Sequence, residues 1–289
     1  MRLFPPLVYF VIKKMPDATS DKVKLFGMTI DRLNRQQATQ RVLDWALDDT
    51  AEGPCRYVVT PNLDHAVMYQ HDAQLRDAYR DAAMVVADGA PLVAVSGLFG
   101  KKLPERVAGS DLAPGLIAAA DAASHAGKRR VRVFLLGAGP GVADRAAFRI
   151  GQQWPGVDPV GAYCPPLGFE KDQAECEHIL EIIAAAKPDV LLVGLGAPKQ
   201  ELWVSRFHAR IEAKVALCVG ATIDFLAGEK KRSPRWMQRC GLEWVHRLAS
   251  EPRRLAGRYA RDAWEFPQLV WAEYRQSLAA SRVPRATRG

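Results

Sequence analysis

The stretch VRVFLLGAGPGVADRAAFRIGQQW, residues 131–154, contains the parts of one α/β unit. Its first seven residues are mostly apolar and β-branched, as in a buried strand, and residues 141–154 have the apolar spacing of a helix. The glycine-rich segment GAGPG, residues 137–141, joins the two. A strand that passes through glycines into a helix is the unit from which parallel sheets are built. The stretch therefore predicts an α/β fold.

The same alternation recurs on both sides of this unit. Four more apolar runs have the length and composition of buried strands, at residues 55–60, 83–88, 188–194 and 214–220. Stretches with helical spacing lie between them, at residues 63–82, 110–126 and 173–186. Ser110 or Asp111 is placed to cap the second of these helices. The pattern predicts a largely parallel sheet with helices on both faces.

The charge of the chain is concentrated at its C-terminal end. Residues 230–289 hold 14 Lys and Arg against five Asp and Glu, a balance of +9, whereas the first 229 residues balance at −1. We therefore predict three parts, namely an N-terminal extension (1–20), an α/β core (21–228) and a basic helical appendage (229–289). Such an appendage suits an anionic partner such as a diphosphate, an acidic membrane surface or nucleic acid. The alternative interpretation is that these charges only form the solvated face of a helix and have no anionic partner.

The N-terminal extension contains an apolar run, residues 3–12, that is interrupted by Pro5 and Pro6. A membrane-spanning helix needs about 20 residues, so the run predicts no transmembrane helix. No small-residue cleavage site follows it, which argues against a signal peptide. An interfacial anchor and an extension upstream of a start at Met15 both stay open.

Several kinds of chemistry are disfavoured by the sequence. The five cysteines lie far apart and are odd in number, which favours reduced thiols in a cytoplasmic protein over disulfides, zinc or redox chemistry. The chain has no GxxxxGK[ST], HExxH or GxSxG motif. It also has no acidic pair of the DxD type that would hold a divalent metal for a sugar nucleotide. We therefore predict a site without a metal ion.

Polar and glycine-rich residues follow the predicted strands, at the edge where open α/β sheets bind ligands. Thr60 and Asn62 follow the first strand and Asp88 the second, and the later strands are followed by 137–141, 194–196 and 220–224. Asp88 is the best catalytic candidate because burial can raise the pKa of a carboxylate toward the value that a general base needs. Capping of the next helix is the alternative for Asp88, and Thr60 and Asn62 also suit a turn and an N-cap.

The GAGPG turn invites a dinucleotide-binding interpretation, because a glycine turn before a helix N-terminus can hold phosphate. The spacing departs from GxGxxG at Val142, and no acidic residue clearly ends the following strand. The turn therefore favours a nearby phosphate or nucleotide over a plain βα turn, without indicating NAD.

Seven motifs together resemble those of the WecG/TagA/CpsF glycosyltransferases (glycosyltransferase family 26), which extend lipid-linked precursors of bacterial surface and capsular polysaccharides. They are TPNLDHAV (60–67), ADG (87–89), ERVAGSDL (105–112), FLLGAGPG (134–141), GLGAPKQELW (194–203), VGATIDFLAGEKKRSPRWM (219–237) and GLEWVHRLASEPRRLAGRY (241–259). The resemblance runs from about Val23 to about Phe266. A set of this size in this order is far more specific than any single glycine turn.

The resemblance implies a Rossmann-like, inverting glycosyltransferase that uses a UDP-sugar, of the UDP-hexose or UDP-N-acetylmannosamine type, with no metal and no cofactor. It implies that Asp88 and Thr60 are the catalytic residues, with Asp88 as the base that deprotonates the acceptor hydroxyl and Thr60 lying by the donor. The implied donor-binding residues are Asn62, Gly137, Gly139, Tyr163, Gly196, Gln200 and Asp224. The implied diphosphate- and acceptor-binding residues are Arg106, Arg247, Arg253, Arg254 and Arg258.

The implied partners are a UDP-sugar donor and a polyprenyl-diphosphate-linked saccharide acceptor. The basic appendage, with its interleaved tryptophans, would also bind an anionic membrane surface. The expected location is therefore cytoplasmic, at the inner face of the cell membrane, in exopolysaccharide or surface polysaccharide synthesis. An NAD(P)-dependent oxidoreductase using GAGPG and a nucleic-acid-binding protein using the tail are the alternatives. The latter would not need the ADG and PKQE strand ends, so we expect no nucleic-acid partner; the oligomeric state, including a homo-oligomer, stays open.

Overall fold

A computed structural model describes residues 22–50, 52–234, 236–237 and 243–281 of the chain. The N-terminal extension with its apolar run lies outside these residues. The described chain begins with an antiparallel hairpin of β1 (Lys22–Leu25) and β2 (Met28–Asp31), which the sequence patterns above do not predict.

A six-stranded parallel sheet forms the centre of the fold. Its strands are β3 (Arg56–Val59), β4 (Met84–Val85), β5 (Val131–Gly137), β6 (Val157–Tyr163), β7 (Val190–Gly194) and β8 (Val215–Cys218). They lie in the order β4-β3-β8-β7-β5-β6, and each neighbouring pair is parallel. The five predicted strands are all present in this sheet. The predicted Rossmann-like α/β architecture is confirmed.

Helices cover both faces of the sheet. They are α1 (Arg35–Leu47), α2 (Leu63–His71), α3 (Ala73–Arg80), α4 (Ala90–Leu98), α5 (Gly109–His125), α6 (Val142–Gln153), α7 (Gln173–Ala186), α8 (Lys199–Phe207), α9 (Thr222–Ala227), α10 (Glu243–Ser250) and α11 (Pro252–Ser281). Successive strand residues point to opposite faces. Leu135 and Leu192 accordingly pack in one hydrophobic cluster and Leu136 and Val193 in the other. Burial on both faces explains why these strands read as continuous apolar runs.

Two local expectations are wrong. The stretch 63–82 forms two helices, because Asp72 ends α2 and caps α3 by accepting a hydrogen bond from the Leu75 N–H at 3.0 Å. Helix α5 is capped by Ala108, so neither Ser110 nor Asp111 is its N-cap. Asp111 lies in the first turn of α5, and its carboxylate binds two arginines described below.

Of the described C-terminal residues, Glu243–Ser250 and Pro252–Ser281 are helical, as expected, and α11 packs along α2. The rings of Phe266 and Phe26 meet edge to face with centroids 5.6 Å apart. Further along α11, the buried Glu273 accepts a hydrogen bond from the Phe26 N–H at 3.0 Å and pairs with Lys101. Within the residues that the structure describes, no helix has both the length and the apolar composition to cross a membrane.

Candidate functional site

A cavity of about 960 Å³ opens at the carboxyl ends of four strands of the sheet. The residues that follow β3, β4, β7 and β8 form one part of its wall, and α10 and α11 form another. Six of the predicted positions from the sheet lie in this wall, namely Thr60, Asn62, Asp88, Gly196, Gln200 and Gly220. Motifs that are distant in the sequence are thus brought to one site by the strand order.

The Thr-Pro-Asn turn after β3 is held by both of its polar side chains. Thr60 is buried, and its Oγ1 donates to the carbonyl oxygen of Cys218 at 3.3 Å. Asn62 is the N-cap of α2, and its Oδ1 accepts a hydrogen bond from the His65 N–H at 3.2 Å. The interpretation of Asn62 as a cap is therefore confirmed. Its place in the cavity wall leaves it within reach of a bound ligand.

Asp88 lies in the cavity wall between β4 and α4. Its N–H donates to the carbonyl oxygen of Pro61 at 2.7 Å, which ties it to the Thr-Pro-Asn turn. Gly89 is the N-cap of α4, so the interpretation of Asp88 as a helix cap is wrong. The carboxylate is 21% exposed, and its Oδ1 lies 3.6 Å from Nη1 of Arg106. The structure thus places a partly buried carboxylate beside a cation at the edge of the sheet.

Arg106 contacts carboxylates from three parts of the chain. Its Nη1 lies 3.0 Å from Oε2 of Glu243 on α10, on the same nitrogen that faces Asp88. Its Nη2 lies 3.1 Å from Oδ2 of Asp111, and Asp111 also pairs with Arg232 at 2.6 Å. Burial raises the pKa of Asp111, but the two arginines outweigh it and hold the pKa below its ordinary value. The cluster links α10 to the core beside Asp88.

A buried polar network connects three strand ends. Glu201 is fully buried on α8, and its Oε1 accepts a hydrogen bond from Nε2 of Gln200 at 2.8 Å and lies 3.3 Å from Nε2 of His65. The Oε1 of Gln200 accepts a hydrogen bond from the Gly220 N–H at 3.1 Å. Burial lowers the pKa of His65, but the hydrogen bond and charge of Glu201 outweigh it, so the pKa is raised. The ends of β3, β7 and β8 are thereby held together.

The sequence patterns single out neither Glu201 nor His65. A signal for Glu201 was available in its spacing. Gln200 and Glu201 lie four and three residues before Val204, which is on the apolar side of α8. This spacing places both side chains on the buried side of α8. A buried carboxylate needs a hydrogen-bond or charge partner, so the spacing predicts one for Glu201.

A second charged cluster joins α11 to α2. Asp64, buried on α2, lies 3.3 Å from Nη1 of Arg258 and 2.6 Å from Nη2 of Arg261. Asp262 is buried in the cavity wall nearby, and its pKa is raised to about 6, first by burial and then by the charge of Asp64. Arg258 also lies in the cavity wall. This residue, which the resemblance implies to bind the diphosphate or the acceptor, is therefore present at the site and is paired with Asp64.

Four of the implied donor-binding residues lie outside the cavity wall. Gly137 and Gly139 are in the turn after β5, and a Cβ on Gly137 would lie 2.6 Å from the backbone of Gly194. Close packing of β5 against β7 thus accounts for Gly137. Tyr163 on β6 donates a hydrogen bond to Oε1 of Glu175 at 2.7 Å. Asp224 lies in the first turn of α9. Donor contacts of these residues stay predictions.

The remaining implied residues belong to the C-terminal helices. Arg253 is exposed at the start of α11. The side chains of Arg247 and Arg254 lie outside what the structure describes. Their roles toward a diphosphate also stay predictions.

The fold and the cavity together define an α/β protein with a large cavity at the carboxyl edge of a parallel sheet, the edge at which open α/β sheets bind ligands. The model of the glycosyl transferase WecG/TagA/CpsF family matches residues 23–280. The chain therefore belongs to this family of glycosyltransferases, which confirms the resemblance that the motifs indicated.

Relatives with a named activity match most of the chain. An N-acetylglucosaminyldiphosphoundecaprenol N-acetyl-beta-D-mannosaminyltransferase of Bacillus spizizenii (strain W23) is 32% identical over 226 residues, which is 78% of this chain and 81% of the relative. Enzymes of the same name from Staphylococcus aureus strains MRSA252 and MW2 are each 27% identical over 237 residues, 81% of this chain and 87% of the relative.

Proposed function

We propose that the protein is an inverting, metal-independent glycosyltransferase that moves a sugar from a UDP-sugar to a polyprenyl-diphosphate-linked saccharide. The observation that carries this proposal is the cavity in which Asp88, Thr60 and Gln200 share a wall with cationic side chains of the C-terminal part. The names of the relatives support the class of acceptor and an N-acetylmannosaminyl group as the sugar transferred, for which UDP-N-acetylmannosamine is the proposed donor. A UDP-hexose is the second candidate donor.

The chemistry follows from the residues around the cavity. The acceptor hydroxyl oxygen forms a bond to the anomeric carbon while the bond from that carbon to the UDP oxygen breaks, which inverts the configuration. Asp88 takes the hydroxyl proton as the general base. The departing diphosphate gains negative charge, and fixed cations and N–H donors stabilise such charge in a partly buried site. The cationic side chains in the wall are Arg106, Lys230, Lys231 and Arg258.

The proposal also places the protein on the inner face of the cell membrane. A lipid-linked acceptor is held at a membrane, and helices rich in Arg and Trp bind anionic lipid surfaces. Four tryptophans of the C-terminal part are exposed, with Trp264 and Trp271 of α11 at 76% and 62%. The others are Trp236 and Trp244. The product would enter exopolysaccharide or surface polysaccharide synthesis.

A donor screen tests the proposed function. The full chain would be incubated with UDP-glucose, UDP-N-acetylmannosamine or UDP-N-acetylmannosaminuronic acid and a synthetic lipid-diphosphate N-acetylglucosamine acceptor, with and without EDTA. We expect transfer from one donor that EDTA leaves unchanged, with inversion at the anomeric carbon by NMR. Reactions without acceptor are the control. Thermal stabilisation by NAD but not by UDP, with no transfer from any donor, would contradict the proposal.

A further inference from the structure

The guanidinium of Arg106 is shared by the proposed base and by the C-terminal helices. Its Nη1 faces two carboxylates, Oε2 of Glu243 at 3.0 Å and Oδ1 of Asp88 at 3.6 Å. Its Nη2 faces Asp111 at 3.1 Å. The side chains of Arg106, Asp88 and Glu243 are all at most 21% exposed, so solvent screens their charges only in part. One cation therefore serves three partly buried carboxylates.

The distances rank the two carboxylates on Nη1. Nη1 of Arg106 donates a hydrogen bond to Oε2 of Glu243 at 3.0 Å. Asp88 at 3.6 Å is an ion-pair neighbour beyond hydrogen-bond distance. A guanidinium that hydrogen-bonds a carboxylate favours its ionised form and makes it a weaker base. Arg106 therefore does not make with Asp88 the hydrogen bond by which it would lower the basicity of that carboxylate.

We propose that Glu243 is a positioning residue for the transfer reaction: it holds the Arg106 guanidinium by hydrogen bonding and so keeps that cation from closing on Asp88. This inference rests on the proposed role of Asp88 as the base. It gives α10 a part in the proton transfer itself, in addition to any binding of diphosphate by the appendage. It also gives Arg106 a role beside the base, in addition to the diphosphate binding that the resemblance implies.

Other charged groups lie near the base and set the background against which Glu243 acts. His65 on α2 and Arg232 both interact electrostatically with Asp88. Arg232 is itself engaged by Asp111 at 2.6 Å. Arg232 also interacts electrostatically with Glu243. Loss of the negative charge of Glu243 strengthens the pull of these positive groups on Asp88, so they act in the same direction as Arg106.

Glu243→Gln in the full chain tests the inference, since it removes the charge and keeps the shape. The acid limb of the kcat/KM profile, which reports the essential base of the free enzyme, should move to lower pH, and the plateau should fall severalfold with donor KM within about twofold. Glu265→Gln is the matched control, because Glu265 on α11 pairs with His71 and is not part of the cavity wall. Its profile should equal that of the wild type.

A double variant separates this role from a structural one. In an Arg106→Ala background, Glu243→Gln should move the acid limb far less than in the wild type, because the cation that carries the effect is gone. An unchanged acid limb in Glu243→Gln, or an equal shift with and without Arg106, would overturn the inference. A rise in donor KM with an unmoved plateau would overturn it too, since that pattern marks a binding residue.

A carboxyl titration keeps the inference testable apart from activity. The Asp88 signal can be followed by NMR in ¹³C-aspartate-labelled protein and assigned by its loss in Asp88→Asn. Its midpoint should be lower in Glu243→Gln than in the wild type, and equal midpoints would overturn the inference. If the midpoint shifts while Asp88→Asn keeps near-normal turnover, the base assignment fails and the coupling through Arg106 stands.

Discussion

Oε1 of Glu201 lies 3.3 Å from Nε2 of His65; both side chains are buried, and His65 is part of the cavity wall. The same oxygen accepts a hydrogen bond from the side-chain amide of Gln200. One carboxylate therefore holds the PKQE motif against the turn after β3. An amide has two N–H donors, and here one of them is used by Glu201 while the oxygen is used by Gly220. A contact of Gln200 with a donor sugar, as the resemblance implies, would therefore use chiefly its second N–H.

Glu201→Ala should lower both stability and donor affinity. It leaves His65 and Gln200 without their shared acceptor, which costs about 1–3 kcal/mol for a buried polar group. Glu201→Gln keeps an oxygen and should cost less. Urea unfolding and UDP titration calorimetry measure the two effects. Glu181→Ala on the exposed face of α7 is the control, and equal behaviour of the two alanine variants would contradict the network's role.

Asp88→Asn should leave UDP binding close to normal and lower transfer by at least about 100-fold, because a positioned general base contributes that much or more. The amide has nearly the shape of the carboxylate but cannot take the proton. Turnover under saturating donor and UDP affinity by calorimetry are the measurements. Asp77→Asn, at an exposed site on α3, should match the wild type. Near-normal turnover of Asp88→Asn would rule out the base assignment.

Asp262 makes the stability of the fold depend on pH. Its folded-state pKa is raised to about 6, whereas the unfolded carboxyl ionises at about 4. Between these values the folded protein keeps a proton that the unfolded chain has lost. The stabilisation is therefore complete below pH of about 4 and is lost as the pH rises through about 6, a loss of the order of 2–3 kcal/mol.

Asp262→Asn removes this titration. The unfolding free energy of the variant minus that of the wild type should rise between pH 4 and 6 and then level off. Urea unfolding at intervals across this range measures the difference. Subtracting the wild-type free energy from that of the variant removes the contribution of groups that titrate in both proteins. A flat or falling difference for Asp262→Asn would show that the carboxyl is ionised in the fold.

The sequence predicts the strands well because each is buried on both faces. A run such as VLLVG at Val190–Gly194 has no polar face, so its apolar composition is visible locally. The hairpin of β1 and β2 is missed because its strands have only four residues each and alternate in burial. The break at Asp72 is missed because one capping side chain inside a helical pattern changes the apolar spacing very little.

The sequence predicts which residues line the site, but it does not predict which of their charged side chains form ion pairs. Thr60, Asp88 and Gln200 follow strands, and strand ends in such sheets meet at one edge, so their place in one cavity follows from the fold class. The partners of Arg106 do not follow in this way. They come from a strand end, from α5 and from α10, and only the packing of the C-terminal helices brings Glu243 to it.

Truncation after Lys231 should give a folded core that binds UDP and does not transfer sugar. The two hydrophobic clusters are built mainly from the sheet and its own helices, so the core keeps most of its buried apolar area. Loss of α11 uncovers Phe26 and leaves Asp64 without Arg258 and Arg261, which should lower stability. Circular dichroism, UDP calorimetry and transfer assays measure these properties.

The matched control is truncation after Ser281, which removes only the last eight residues and keeps α11 whole. This variant should transfer sugar like the full chain. Full activity of the shorter core on a lipid-linked acceptor would contradict the role given to the appendage. An unfolded core would show instead that α11 belongs to the folding unit.

Gly137→Ala and Gly139→Ala separate the packing role of the GAGPG turn from a role in donor binding. Gly137 has a φ of +114°, and a Cβ there would lie 2.6 Å from the Gly194 backbone, so alanine should destabilise the fold by roughly 2 kcal/mol or more. At Gly139 a Cβ would meet Cγ2 of Val142 at 3.4 Å, an ordinary contact, so stability should be kept. Thermal unfolding and UDP calorimetry measure both variants. A stable Gly139→Ala that binds UDP weakly would establish that this turn contacts the donor, whereas unchanged affinity would remove Gly139 from the donor site.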